Sequence, residues 1–216
     1  MKVLLLLVSL ASAAQPGQRD WLWHMVSECV DPSASDYCKR CLRPLDGVCG
    51  DTPCADSLSL WGQEDGFVAF RDRKMCGCPA GFVHGLALPT TRVSGVEDPA
   101  KPDAIWPFAW KRAQGVIADE DEILLAVNGP SRRTQDQLHV HIIRLAKDGR
   151  KTLASAKPEN VAALADVWKA AAKHAKRLGF ESYGVAVARA ADGKSWLVAA
   201  DPSDHPETTF GLPFCK

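Results

Sequence analysis

Two histidines, His139 and His141, are the residues of this sequence best suited to chemistry. They lie in the stretch TQDQLHVHII, where Leu138, Val140 and Ile142 alternate with polar residues, a period typical of a β-strand. That period predicts that both imidazoles leave one face of the strand. Near neutral pH an imidazole can be a nucleophile, a general acid or base, or a metal ligand.

The residues around the pair favour an anionic substrate. Between Ser131 and Lys151 there are six basic residues and two acidic ones, a local excess of +4 in a chain of zero formal net charge. Asn128 and Thr134 add neutral donors just before the histidines. Donors, cations and imidazoles together suit phosphoryl chemistry. The balanced overall charge gives no reason to expect nucleic acid as a partner.

Two other interpretations of the histidine pair stay open. A His-x-His strand also supplies two ligands in zinc hydrolases and lyases, but the segment IIRLAK that follows offers no third ligand. The pair could also be structural, on a half-buried strand. We predict no metal and no cofactor.

The remaining pattern predicts an α+β fold in which strands and helices position the histidine strand. A strand at residues 123–128 should be its antiparallel neighbour, and the strands beginning at Gly66 and His84 should form a hairpin. A second hairpin, with Asp192 and Gly193 at its turn, closes the chain. Helices are predicted at residues 20–30, 105–116 and 157–180, the last of them capped by Gly179.

The first fourteen residues, MKVLLLLVSLASAA, are typical of a secretory signal peptide: a lysine, a short apolar run and small residues. We therefore expect an exported protein, periplasmic or secreted, with residues 15–216 forming a single domain. No later apolar run approaches the roughly 18 residues that a membrane helix requires. The mature chain should be soluble or attached to a membrane surface, and we favour a monomer.

The eight cysteines predict disulfides, because the chain is expected to be exported. Seven of them lie in the segment 29–78, and Cys215 should tie the C-terminus back to this N-terminal region. Cys76 and Cys78 are too close to pair with each other. The alternative is a zinc knuckle, formed by CKRC at 38–41 with Cys49 and Cys54.

Several segments resemble one known family. QLHVHII resembles the histidine triad signature, with Gln137 in place of the first histidine. LAVNGPSRRTQDQLHVHI is similar to the corresponding segment of the CDP-diacylglycerol pyrophosphatases, an exported branch of the histidine triad superfamily. LWHMVSECV, FVAFRDR, LALPTTRVSGVEDP and IWPFAW resemble further segments of that branch in the same order.

The resemblance implies a histidine triad-like fold, an antiparallel sheet packed with helices, here with a disulfide-stapled N-terminal region. It implies that His139 is the nucleophile and that His141 contacts the phosphate. Asn128 and Thr134 match polar residues of the family's site, and His84 stands where some histidine triad proteins carry a fourth histidine. We expect phosphate contacts from the following residues: Asn128, Arg133, Thr134, Gln137 and His84.

The implied reaction is hydrolysis of CDP-diacylglycerol to CMP and phosphatidate through a nucleotidyl-histidine intermediate. The alternatives are a histidine triad hydrolase or nucleotidylyltransferase acting on soluble nucleotides, and a catalytically dead, secreted Cys-rich binding protein. The lipid substrate would be met at a membrane surface. Four tryptophans are candidates for that contact, although a buried position is the simpler expectation for each: Trp21, Trp23, Trp106 and Trp110.

Overall fold

The computed structural model describes residues 19–30, 60–75 and 77–215. In these residues eight strands form one antiparallel sheet, in the order β1-β2-β3-β5-β4-β7-β8-β6. The strands are β1 (Leu60–Glu64), β2 (Phe67–Arg71), β3 (His84–Pro89), β4 (Ile123–Val127), β5 (Val140–Arg144), β6 (Glu159–Val161), β7 (Gly184–Arg189) and β8 (Trp196–Asp201). The helices are α1 (Trp21–Cys29), α2 (Ile105–Gln114), α3 (Gly149–Ser155), α4 (Val167–Leu178) and α5 (Pro206–Phe210).

Helices cover both faces of the sheet, and the face that carries α1, α3 and α5 also carries the histidines. On the opposite face α2 and α4 pack against alternate residues of the central strands, among them Val140 and Ile142. On the histidine face α1 packs against β2 and β3, while α3 and α5 pack against β4, β7 and β8. His84 of β3 and His141 of β5 lie on this face between residues of the two apolar clusters.

The predicted mixed architecture is confirmed at the level of an antiparallel sheet with helices. The β4–β5 and β2–β3 pairs and the hairpin of β7 and β8 form as predicted. Gly179 caps α4 in the left-handed conformation, with φ of 75°. Trp106 and Trp110 are buried in the core, which confirms the simpler expectation for them and excludes them as membrane contacts.

The helix predicted at residues 157–180 is too long at its N-terminal end. Residues 159–161 form the edge strand β6, which pairs with β8, and a 3-10 turn at Leu164–Asp166 precedes α4. Pro158 and the positive φ of Lys157 separate this strand from α3. Pairing with β6 gives hydrogen-bond partners to the backbone N–H and C=O groups on one edge of β8. A helix in the same place would leave those groups without partners.

The histidine strand is also shorter than predicted. Strand β5 begins at Val140, so residues 134–139 form a loop that leads into it and His139 lies just before the strand. We did not predict β1, α3 or α5 at all. The short helix α5 proves important because it carries a residue of the candidate site.

One disulfide joins the C-terminal segment to the connection between β2 and β3. Cys78 is bonded to Cys215, which confirms that Cys215 is tied to the N-terminal cysteine region, and Cys29 is also disulfide-bonded. The residues 1–14 of the predicted leader and the cysteines of the predicted zinc knuckle lie outside the described residues. Within the residues that are described, no helix is long and apolar enough to cross a membrane.

Replacing Cys78 and Cys215 together with serine is expected to lower the free energy of unfolding by about 2–5 kcal/mol. The bond closes a loop with a sequence separation of 137 residues, so its loss frees much of the unfolded chain. Urea denaturation of the wild type and the double variant measures the difference. A change below about 0.5 kcal/mol would show that other contacts alone hold the C-terminal segment.

Candidate active site

His139 and His141 are neighbours, as the sequence predicts. Their ring centroids are 4.7 Å apart with an edge-to-face geometry, and their exposed fractions are 7% and 3%. His141 lies opposite Leu86 of β3 and Ala126 of β4, so it stands in the middle of the sheet. A central strand held on both sides gives its side chain a fixed position.

The tautomer of His139 is set by the loop that precedes it. Its Nδ1 lies 2.6 Å from the backbone carbonyl oxygen of Gln137, which can only accept, so Nδ1 carries the proton. Burial lowers the pKa of His139, although this carbonyl opposes the shift. The imidazole is therefore neutral at pH 7, with the lone pair on Nε2. No described residue forms a hydrogen bond with that Nε2.

His141 is neutral because it is buried, and it lies between an amide and a carboxylate. Its Nε2 lies 3.3 Å from Nδ2 of Asn128, whose NH₂ group donates, so the proton of His141 is on Nδ1. That Nδ1 lies 3.2 Å from Oε2 of Glu207. Burial keeps the pKa of His141 well below its usual value, against the opposing effect of the Glu207 charge.

His84, at the start of β3, has the opposite electrostatic environment. Its Nδ1 lies 2.9 Å from Oδ2 of Asp72, and its Nε2 donates to Oε2 of Glu207 over 3.3 Å. Burial alone would lower the pKa of His84, but the two carboxylates outweigh it and raise the pKa above its usual value. His84 is thus the histidine of this group that favours the charged form.

Glu207 is the residue that joins these groups, and sequence reasoning missed it. Its Oε1 accepts from Nδ2 of Asn128 over 2.8 Å, and its Oε2 lies 3.3 Å from Nζ of Lys74. Burial would raise the pKa of this carboxyl, but the hydrogen bonds from His84 and Asn128 and the charge of the Lys74 ammonium hold it far below its usual range. Glu207 is therefore an ionised, buried carboxylate that lies beside the imidazoles of His84 and His141.

The fold brings these groups together from five separate parts of the chain. Asp72 and Lys74 follow β2, and Asn128 follows β4. The site cluster, as we call it, consists of Asp72, Lys74, His84, Asn128, His139, His141 and Glu207. Its cations and carboxylates balance, which limits the cost of burying them.

Two residues predicted to contact phosphate have other partners, and a third is exposed. Arg133 forms ion pairs with Glu97 and Asp136, over 2.6 and 3.1 Å. The amide of Gln137 is fully buried and bonds the backbone of residues 89, 91 and 93. Thr134 is exposed on the loop. Their roles toward phosphate stay predictions, while Asn128 and His84 do join the histidines.

A metal could be held by part of the same cluster. His84, His141 and Glu207 offer ligand atoms that lie within 4.8 Å of one another. The segment after the histidines lacks a third ligand, which led us to predict no metal, but the fold supplies candidates from β3 and α5. Nζ of Lys74 lies 3.4 Å from Nε2 of His84, so a positive charge already stands beside these ligand atoms.

The chain is similar to proteins of one family. The family model described as CDP-diacylglycerol pyrophosphatase matches residues 17–174. A Yersinia pestis protein named CDP-diacylglycerol pyrophosphatase is 29% identical over 146 residues, which cover 63% of this chain and 48% of that protein. The match thus spans about half the length of this relative. Glu207 lies beyond the region that the family model matches.

Proposed function

Because the chain belongs to the CDP-diacylglycerol pyrophosphatase family, we propose that it hydrolyses CDP-diacylglycerol to CMP and phosphatidate. The observation that carries this proposal is the state of His139. Its Nδ1 proton is committed to the carbonyl oxygen of Gln137, and its buried ring is neutral, which leaves a lone pair on Nε2. A neutral imidazole with one free nitrogen is a good nucleophile toward phosphorus.

In the first step, Nε2 of His139 attacks the phosphorus that bears the cytidine. The bond between this phosphorus and the bridging oxygen breaks, and phosphatidate leaves with the electron pair. Phosphatidate is a stable phosphate monoester anion, so it can leave without first gaining a proton. The product on the protein is a cytidylyl-histidine, in which Nδ1 keeps its proton and its bond to Gln137.

In the second step, water attacks the same phosphorus and the bond to Nε2 breaks. CMP leaves, His139 returns to its neutral form, and water loses one proton. We assign the acceptance of this proton to Nε2 of His141, which must first give up its hydrogen bond from Nδ2 of Asn128. The ring of His141 is neutral and lies 4.7 Å from that of His139. The balanced reaction consumes one water for each CDP-diacylglycerol.

Positive charge for the phosphate oxygens would come from His84 and Lys74. His84 favours its charged form, and the Lys74 ammonium is partly exposed beside it. Such preplaced charges typically contribute about 10²- to 10³-fold to the rate. For Arg133 to contribute, it would have to exchange its ion pairs with Glu97 and Asp136 for the substrate.

We further propose that residues 15–216 act as one histidine triad-like domain, exported after removal of the leader and working at a membrane surface as a monomer. The Cys78–Cys215 disulfide supports an oxidising compartment. A lipid substrate calls for contact with a membrane surface.

The function is tested by incubating purified protein with CDP-diacylglycerol and, separately, with a soluble dinucleoside polyphosphate, each with and without a chelator. We expect CMP from the lipid substrate with or without chelator. In ¹⁸O-labelled water the heavy oxygen should appear in CMP, because water attacks the cytidylyl phosphorus. Label in phosphatidate would contradict the proposed point of attack.

The other outcomes separate the remaining candidates. Loss of activity on chelation would assign His84, His141 and Glu207 to a metal rather than to the metal-free reaction. Activity on the soluble substrate alone would indicate a general nucleotide hydrolase. Absence of turnover on both substrates would indicate a binding protein.

A further inference from the structure

The C-terminal segment carries two exposed apolar side chains, and one of them, Phe214, contacts Lys74 of the site cluster. Leu212 and Phe214 are 46% and 60% exposed, and they account for two of the three exposed large hydrophobic residues among those described. The third, Leu178, lies at the end of α4 on the other face of the sheet. Single exposed apolar residues are ordinary, but two residues so close together next to a candidate active site call for a partner.

The segment holds these side chains outward in a fixed position. The amide of Leu212 donates to the carbonyl oxygen of Arg144 over 2.9 Å, Pro213 is buried, and Cys215 is bonded to Cys78. The backbone is thus fixed on both sides of Phe214. An exposed aromatic ring on an anchored segment loses little conformational freedom when it meets an apolar partner.

Lys74 connects this apolar pair to the site cluster. Its Nζ lies 5.2 Å from the centroid of the Phe214 ring and 3.3 Å from Oε2 of Glu207. Phe214 is therefore one side chain away from the carboxylate that contacts His84 and His141. The ammonium, partly exposed, adds a positive charge where an anionic headgroup would lie.

We propose that Leu212 and Phe214 form the surface with which this protein contacts the lipid bilayer that contains its substrate. The inference rests on the proposed function. In CDP-diacylglycerol only a few bonds separate the reacting phosphorus from the glycerol and its acyl chains. A substrate that stays in the bilayer can reach His139 only if the bilayer contact adjoins the site, and an apolar pair flanked by a cation suits such an interface.

The half-exposed tryptophans of α1 are the competing surface. Trp21 packs partly against the apolar cluster of α1, and the ring of Trp23 lies 5.3 Å from the guanidinium of Arg92. Both rings already have partners within the protein. Leu212 and Phe214 are more exposed, and Phe214 contacts Lys74 of the site cluster, so we assign the bilayer contact to them.

The test compares the double variant Leu212→Ser/Phe214→Ser with the wild type and with Leu178→Ser, a control of similar exposure on the other face. Binding is measured by cosedimentation with vesicles of phosphatidylcholine and phosphatidylglycerol. Activity is measured on CDP-diacylglycerol in the same vesicles and on a short-chain CDP-diacylglycerol below its micelle concentration. We expect the ratio of kcat/KM on vesicles to that on the monomeric substrate to fall about tenfold or more in the double variant alone.

Two outcomes would overturn the inference: unchanged vesicle binding and activity ratio in the double variant, or an equal loss in Leu178→Ser. If the wild type self-associates and only the double variant is monomeric, with vesicle binding unchanged, the surface contacts a second copy of the chain. A wild type that binds vesicles through this surface but cleaves neither substrate would contradict the proposed function while supporting the bilayer contact.

A second variant tests the same contact in case the double variant fails to fold. Phe214→Trp keeps an aromatic ring at the surface and provides a fluorescence signal, read as the difference from the wild type because the chain has seven other tryptophans. We expect the difference spectrum to shift to shorter wavelength when vesicles are added. An unchanged difference spectrum with bound vesicles would place the contact elsewhere.

Discussion

Replacing His139 with alanine is expected to lower kcat on CDP-diacylglycerol by about 10⁴- to 10⁶-fold, the loss typical of removing a catalytic nucleophile. The fold should survive, because the ring contributes one side-chain hydrogen bond, to the carbonyl oxygen of Gln137, and Val140 and Ile142 hold the strand from its other face. Steady-state release of CMP measures the effect, with thermal unfolding as the check on folding.

Detecting the covalent cytidylyl-histidine distinguishes a nucleophilic His139 from a histidine that supports the reaction without forming a covalent bond. Protein mixed with substrate labelled in the cytidylyl phosphate and quenched in alkaline denaturant should retain label, because a phosphorus–nitrogen bond survives alkali and is lost in acid. His139→Ala should retain none. His24→Ala, an exposed histidine on α1, is the matched control and should behave as the wild type. Label retained in His139→Ala would assign the nucleophile to another residue.

Much of the scaffold of this site could be predicted from the sequence, because the relevant patterns are local. The alternation around Leu138, Val140 and Ile142 predicts that the two histidines lie on the same side of the strand. Their rings are indeed neighbours, with centroids 4.7 Å apart. The aromatic residues of α2 are buried as their helical spacing indicates. Such patterns depend on neighbours within a few residues, which a sequence displays directly.

The partners of the histidines could not be predicted, because they are set by contacts between distant segments. Glu207 lies in a five-residue helix with little apolar periodicity, and a glutamate is usually exposed. Only the tertiary structure shows that it is buried under His84 and His141. Asp72, just past the end of β2, gave no signal either, since acidic residues after strands are common in turns.

The expectation that Arg133 contacts phosphate was drawn from composition, and it stays a prediction. The excess of basic residues between 131 and 151 suggested free cations beside the histidines. In the structure Arg133 and Arg19 both contact Asp136, and the two guanidinium groups lower the pKa of that carboxyl to about 2. A local charge count does not show which cations are already paired by residues far away in the chain.

Replacing Glu207 with glutamine is expected to lower kcat by about 10²- to 10⁴-fold, as for a carboxylate that orients catalytic histidines. Glutamine has nearly the same shape and can still accept from Asn128, so the substitution removes mainly the charge. That charge raises the pKa of His84 and sets the environment of Nδ1 of His141. Glu181→Gln, an exposed site with the same chemical change, is the control.

The pH profile tests whether Glu207 acts through His84 rather than through stability alone. Activity requires neutral His139, whose pKa is lowered, so the acid limb of kcat/KM should lie below pH 6.5. It also requires charged His84, whose pKa is raised, so the alkaline limb should lie above pH 6.5. Loss of the Glu207 charge destabilises the imidazolium of His84, and the alkaline limb of Glu207→Gln should therefore move to lower pH. If Glu207→Gln lowers kcat/KM equally at every pH, with both limbs of the profile unchanged, Glu207 has a structural role only.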